Sequence, residues 1–192
     1  MNNWKHPFSD SEITKYIDCL WYLEKTSEDN LHSHPVLNPY PEAHLILAPP
    51  EQPYHYTINA VEKKGVGCHL LLPSTRTIAV HHPEPFLIVG IKFKVGALYS
   101  LAQGADIPTL DGVISNKNLS SFLTLPPPVP FNPVQPAIKQ ELINEIEGWI
   151  QSLLQNSYDD KYSKLTSDAI ALLESIEIGE LSQNLHCSRR TL

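Results

Sequence analysis

The amino-acid sequence predicts an α+β protein in which an antiparallel β-barrel or sandwich is followed by α-helices. Between residues 16 and 95, short segments of alternating apolar residues are separated by turns that often contain proline, a pattern typical of antiparallel sheets. After residue 136 the apolar residues recur every three or four positions, as they do in amphipathic helices. With 192 residues, 42% of them hydrophobic, the chain can bury one sizeable core.

The predicted strands are short and apolar on at least one face. They are YIDCLWYLE (16–24), HLILA (44–48), YHYTINA (54–60), VGCHLLL (66–72), RTIAV (76–80) and FLIVGIKFKV (86–95). In the first strand, alternation places Ile17, Cys19, Trp21 and Leu23 on one face. In the last strand, the shared face consists of Leu87, Val89, Ile91, Phe93 and Val95.

Helices are predicted at 96–104, 137–154 and about 166–176. The proline-rich segment 125–136 precedes the longest of them and is predicted to be a stiff connector, since proline lacks the backbone donor. The helix 137–154 has an apolar stripe centred on Trp149. That stripe packs either on the protein's own barrel or on a second copy in a symmetric dimer. Thr166 or Ser167 is the predicted cap of the last helix.

Charge and cysteine usage limit the class of protein. The formal net charge is −7, so the body is a poor general binder of phosphate backbones, and any contact with DNA must be local. The three cysteines are far apart and have no zinc-site spacing. The amino terminus lacks an apolar run that could serve as a signal peptide, and no stretch is long enough to span a bilayer. The sequence therefore predicts a cytoplasmic protein that does not associate with membranes.

The carboxyl-terminal segment ELSQNLHCSRRTL (180–192) has the pattern of a helix-turn-helix. Leu181 and Ser182 fit the inner face of a short first helix, where a small residue lets a second helix approach. A tight turn at 186–187 would precede the second helix, whose first turn faces base edges when such a helix enters the major groove. The predicted DNA-binding residues are Ser188, Arg189, Arg190 and Thr191.

The same segment resembles the first helix-turn-helix of AraC/XylS-type transcription regulators. The positions that carry the resemblance are Leu181, Ser182, Ser188, Arg190 and Leu192. Two residues depart from the pattern: Ser182 stands where alanine is usual, and His186 stands where glycine is common. Upstream, YIDCLWYLE and VGIKFKVGAL resemble the cupin-like sensory domain of one branch of that family. In that sensory domain a Phe-x-Pro-Gly-Ala segment commonly follows the last strand. Residues 93–97 of this chain match that segment except for the valine at position 95.

The resemblance implies a domain organisation and a function. Residues 1–125 would form a cupin-like sensory domain, 126–162 a connector with an amphipathic helix, and 163–192 an incomplete DNA-binding domain. The resemblance thus implies a C-terminally truncated, ligand-responsive bacterial regulator that is not an enzyme. It implies a small-molecule effector, a homodimer, and DNA binding through the full-length protein, with no cofactor. It further implies that the 192-residue chain alone does not bind DNA specifically. A pure dimerisation module is a further alternative.

A metal-dependent cupin-type enzyme is the main alternative. Such enzymes hold their metal with a His-x-His pair and a glutamate a few residues later. His32 and His34 supply a pair, but the next glutamate, Glu42, is eight residues beyond His34. The neighbours His81 and His82 would point to opposite faces of a strand. No metal site is therefore predicted.

A sensory barrel needs inward-facing residues that orient a ligand. The candidates are Trp21, His44, Tyr56, His69 and Arg76. The alternative is structural: the aromatic residues belong to the core, and the histidines are hydrogen-bonded within the strands.

Overall fold

The computed structural model describes residues 2–26, 35–82, 85–103, 105, 108–128, 136–173 and 175–186. Within these ranges the strands are β1 (Asn2–His6), β2 (Ile17–Lys25), β3 (Val36–Leu37), β4 (His44–Leu47), β5 (Tyr54–Ile58), β6 (Val61–Gly65), β7 (Cys68–Leu71), β8 (Ile78–His81), β9 (Phe86–Phe93) and β10 (Val113–Ser115). The helices are α1 (Ser11–Tyr16), α2 (Ala97–Leu101), α3 (Asn116–Leu119), α4 (Pro136–Leu154), α5 (Lys161–Leu173) and α6 (Ile178–Asn184). None of these helices is long and apolar enough to cross a membrane.

The strands form two antiparallel sheets. The larger sheet has the order β1-β2-β9-β4-β7-β10, and the smaller sheet has the order β3-β8-β5-β6. Every strand pairing in both sheets is antiparallel. The prediction of a mixed α+β protein with antiparallel sheets is confirmed.

Side chains of the larger sheet alternate between two apolar layers. On β4, Leu45 and Leu47 belong to the layer that faces the helices, whereas Ile46 belongs to the layer that faces the smaller sheet. We call the second the inter-sheet layer. Its buried apolar residues are Ile46, Ala48, Tyr54, Tyr56, Ile58, Leu71, Ile78, Val80, Phe86 and Ile88. The larger sheet is thus covered on both faces, which explains the nearly continuous apolar character of its central strands.

A bulge in β2 changes the faces predicted for that strand. Its register against β9 shifts between Ile17 and Cys19. Ile17 therefore packs with Leu20 in the helix-facing layer, whereas Trp21 and Leu23 pack against the inter-sheet layer. The prediction that Ile17 shares a face with Trp21 and Leu23 is wrong, because the extra residue of a bulge reverses the alternation.

Helix α4 uses its apolar stripe to cover the larger sheet. The stripe residues Leu142, Ile146, Ile150 and Trp149 are all buried in the helix-facing layer. The Trp149 indole Nε1 donates a hydrogen bond to the carbonyl oxygen of Thr124 at 3.0 Å. Of the two alternatives for this helix, the structure thus shows packing on the protein's own sheet, and the stripe is not free to meet a second copy.

Helix α5 begins earlier than predicted. The Asp160 carboxylate accepts hydrogen bonds from the backbone N–H groups of Tyr162 and Ser163, which are unsatisfied at a helix start. Thr166, by contrast, lies inside the helix and donates its hydroxyl to the carbonyl oxygen of Tyr162. The prediction that Thr166 or Ser167 caps this helix is therefore wrong.

Candidate functional site

Four of the five residues predicted to line a ligand pocket lie on the inter-sheet side of the sandwich. Trp21 on β2 lies opposite Gly90, Gly90 lies opposite Ile46, and Ile46 lies opposite His69. Directly opposed residues on paired strands project to the same face. This row therefore carries Trp21 and His69 into the layer between the sheets, where they meet Tyr56 from β5 of the smaller sheet.

The position of the Trp21 ring depends on Gly90. A Cβ atom added at Gly90 would lie 2.1 Å from the indole ring, so the ring occupies the space that any other residue would need. The indole Nε1 is buried and has no hydrogen-bond partner among the described residues. An indole N–H can only donate, so this atom needs an acceptor.

His69 and Tyr56 form a buried hydrogen-bonded pair. The His69 side chain is fully buried. Its Nδ1 lies 3.0 Å from the carbonyl oxygen of Gly67, so Nδ1 carries the proton and donates. Its Nε2 therefore accepts from the Tyr56 hydroxyl at 2.7 Å. Burial lowers the pKa of His69 to about 4, although the Gly67 carbonyl acts in the opposite direction. The ring is neutral at pH 7.

Two further tyrosines extend this pair into a cluster. Tyr54 lies next to Tyr56 and His69, with ring centroids 6.5 and 6.2 Å away. Its buried hydroxyl and that of Tyr40 have no hydrogen-bond partner among the described residues. Burial raises the pKa of Tyr54 and of Tyr40. The pKa of Tyr56 is also raised, first by burial and then by the nearby Tyr54 and Tyr40 hydroxyls.

Neither Tyr40 nor Tyr54 was among the pocket residues predicted from the sequence. Tyr54 could have been selected from the sequence, because it lies two residues before Tyr56 and therefore on the same face of the predicted strand. Tyr40 lies between two prolines outside any predicted strand, and only the tertiary fold brings it to the cluster.

His44 lies at one end of the cluster. Its ring packs edge-to-face on Tyr40 and on Trp21, with centroid distances of 5.3 and 6.2 Å. Burial, and after it the positive charge of Lys92, lower the pKa of His44 to about 4. Lys92 is itself paired with Glu42 at 2.9 Å. We call Trp21, Tyr40, His44, Tyr54, Tyr56 and His69 the inter-sheet cluster.

Arg76, the fifth predicted pocket residue, lies elsewhere. It is exposed in the turn that precedes β8. Its backbone N–H donates to the Ser74 hydroxyl. Its charge contributes to lowering the pKa of Asp111, which is lowered mainly by hydrogen bonds from Ser74 and Thr75. The structure does not bring Arg76 into the inter-sheet cluster.

The predicted DNA-binding residues Ser188, Arg189, Arg190 and Thr191 lie outside the described residues. The segment just before them is described. In α6, which packs against α5, Leu181 and Ser182 are buried. His186 follows with a φ of 50°, a left-handed conformation that histidine adopts more readily than most residues. The DNA-binding residues stay a prediction.

The metal-ligand pattern considered in the sequence is only partly covered by the structure. His32 and His34 lie outside the described residues. In the described ranges, no group of three or more histidine, cysteine, aspartate or glutamate side chains is placed to hold a metal ion.

No family model matches this sequence, and no curated protein matches it. Solved structures with limited similarity include the following two. ToxT from Vibrio cholerae is 10% identical over 89% of this chain and 72% of its own, with a TM-score of 0.40. YcfD, a ribosomal oxygenase from Escherichia coli solved with cobalt and succinic acid, is 11% identical over 81% of this chain and 43% of its own, with a TM-score of 0.31. Similarity at this level assigns no function to the chain.

Proposed function

We propose that this chain is the sensory part of a cytoplasmic, ligand-responsive transcription regulator of the AraC/XylS type, rather than an enzyme. The observation that carries the proposal is the inter-sheet cluster. Trp21 Nε1 and the hydroxyls of Tyr40 and Tyr54 are buried there without partners among the described residues. A buried polar group without a hydrogen bond costs about 1–3 kcal/mol, and native proteins nearly always satisfy such groups with protein, water or ligand.

The chemistry of the cluster favours an uncharged ligand that carries hydrogen-bond acceptors. The Trp21 indole can only donate, and the tyrosine hydroxyls can donate as well as accept. Burial keeps His44 and His69 neutral at pH 7, since the pKa of each is lowered to about 4. None of the six side chains of the inter-sheet cluster is charged at pH 7, so a charged ligand held by them alone would incur a large desolvation cost.

The regulator part of the proposal depends on the carboxyl-terminal segment. Burial of Leu181 and Ser182 on α6 and the left-handed backbone at His186 support a helix and a tight turn of the kind that precedes a recognition helix. A homodimer would use a surface other than the stripe of α4, because that stripe covers the larger sheet.

Ligand binding is tested by thermal unfolding of the chain in the presence of a panel of uncharged carbonyl- and hydroxyl-bearing metabolites. A ligand present at 100 times its Kd stabilises the folded chain by about 2.7 kcal/mol. We expect Tyr54→Phe to weaken a hit by about tenfold, because it removes a hydrogen-bonding hydroxyl and keeps the ring. Arg76→Lys is the matched control outside the cluster. Equal binding by wild type and Tyr54→Phe would contradict a ligand in the cluster.

DNA binding is tested by in vitro selection from random-sequence DNA, using the gene product that contains residues 1–192. We expect enrichment of a defined sequence, and loss of that enrichment in Arg190→Ala, since arginine in the first turn of a recognition helix reads bases or phosphates. Selection that enriches no sequence, or the same enrichment in the variant, would overturn the regulator proposal.

A further inference from the structure

A groove of about 860 Å³ is lined in part by Tyr40, which also belongs to the inter-sheet cluster. Its walls are formed by the turns at 39–41 and 73–75, the segment 95–99 that leads into α2, and residues 105 and 108–110. Its lining includes the rings of Pro39, Pro41, Pro73 and Pro108 and the side chains of Leu98 and Leu110. We call it the proline groove. Its volume is in the range of small-molecule sites, about 300–1,000 Å³.

Among the described residues that line the proline groove, no side chain is charged, and Thr109 is the one exposed hydroxyl residue without a hydrogen bond inside the protein. The Ser74 and Thr75 hydroxyls both donate to the Asp111 carboxylate at 2.8 Å, and the Tyr99 hydroxyl donates to Asp160 at 3.1 Å. The Tyr40 hydroxyl is shielded from solvent, so this residue contributes only its ring. An ion would find no counter-charge here, and a sugar would find few groups to bond, whereas an apolar molecule would meet a mostly apolar surface.

The exposed apolar side chains at this surface also indicate an occupant. Val95, Tyr99 and Leu110 line the groove and are 36%, 37% and 53% exposed. Single exposed apolar residues are normal on a monomer, but several around one concave surface mark a binding site. Val95 was predicted to continue the apolar face of β9. It lies instead beyond the end of that strand, where it faces the groove.

We propose that the proline groove binds an uncharged, largely apolar small molecule, at a site that shares only Tyr40 with the inter-sheet cluster. The bound molecule would contact Leu98 and Tyr99 on α2, and the hydroxyl of Tyr99 bonds to Asp160, the residue that caps α5. The groove thus adjoins the contact between the sandwich and the helices that follow it. This inference stands whether or not the chain belongs to a regulator.

The experiment uses N-phenyl-1-naphthylamine, an uncharged apolar fluorophore, titrated into the 192-residue chain. We expect saturable binding that is weakened at least about tenfold in Leu110→Asp, because a carboxylate beside an apolar ligand must be desolvated. Leu110→Met, which keeps the apolar surface, should bind as wild type does. Val95→Asp is a second test at another wall of the groove and should weaken binding to a similar extent. Val61→Asp is the matched control, since Val61 is 51% exposed on β6 and does not line the groove.

Circular dichroism establishes that each variant is folded before its affinity is compared. Absence of saturable binding by wild type overturns the inference, as does equal weakening by Val61→Asp. Binding that is lost in Tyr54→Phe but kept in Leu110→Asp and Val95→Asp places the probe in the inter-sheet cluster. That result overturns the inference about the groove and leaves the proposed function intact. Loss in Leu110→Asp and Val95→Asp with retention in Tyr54→Phe supports the groove independently of the cluster.

Discussion

Acid should destabilise this protein through His69, and the size of the effect follows from its burial. The side chain is fully buried, and its pKa in the folded chain is lowered to about 4 from an ordinary value of 6.5. Between these two values the unfolded chain binds a proton that the folded chain does not. The contribution of His69 to stability is therefore complete above about pH 6.5 and is lost as the pH falls toward 4.

The magnitude can be worked out from the two pKa values. A fall from 6.5 to about 4 corresponds to about 3 kcal/mol in all, of which about 2 kcal/mol is lost between pH 7 and pH 5. In His69→Gln, which keeps a donor and an acceptor but cannot titrate, this part of the pH dependence should disappear. Other groups, including His44, titrate alike in both proteins and cancel from the difference.

The assay is urea denaturation of wild type and His69→Gln at pH 7 and pH 5. Tyr56→Phe is the control, because it removes the hydrogen bond to Nε2 and leaves the buried imidazole in place. We expect that control to lose about 1 kcal/mol at pH 7 and to keep a pH dependence close to that of wild type. If wild type and His69→Gln lose the same free energy of unfolding between pH 7 and pH 5, the reasoning about the buried imidazole is refuted.

Three further predictions concern packing. Gly90→Ala should lower the free energy of unfolding by about 1–3 kcal/mol and change the tryptophan fluorescence, because its Cβ would meet the Trp21 ring. A Cβ atom added at Gly148 meets nothing within 4 Å. Gly148→Ala should therefore stabilise α4 by about 1 kcal/mol, because alanine favours a helix more than glycine does. A loss of stability in this variant would show that the added methyl group does meet other atoms. Ile146→Ala should cost about 3 kcal/mol at any protein concentration, as measured by denaturation. A cost that varies with concentration would show that the stripe of α4 forms an interface between copies.

Strands and helices that are marked by a pattern of neighbouring residues could be predicted from the sequence. The strands β5 and β9 and the helix α4 were found because the period of their apolar residues is a property of consecutive positions. The short helix α2 was found between the two glycines that bracket it. By contrast, β1 was not predicted: it is a polar segment that forms an edge strand by pairing with β2. Nothing within residues 2–6 specifies that partner.

The candidate site was predicted in part for the same reason. Alternation on β2 and β5 and the buried positions on β4 and β7 sufficed to select Trp21, His44, Tyr56 and His69. The sequence could not supply Tyr40, which reaches the cluster through a turn. It also could not exclude Arg76, whose segment was predicted as a strand but forms an exposed turn up to position 77.

The sequence by itself determined the fold class, most of the strand faces and four of the six residues of the inter-sheet cluster, since each follows from the spacing of residues a few positions apart. The tertiary structure alone decided which surface the stripe of α4 covers, how the bulge at the start of β2 places Ile17, and that segments far apart in the chain meet to form the proline groove. These outcomes depend on contacts between segments far apart in the chain. Local periodicity carries no information about such contacts, because it specifies which face of an element is apolar and not what that face will meet.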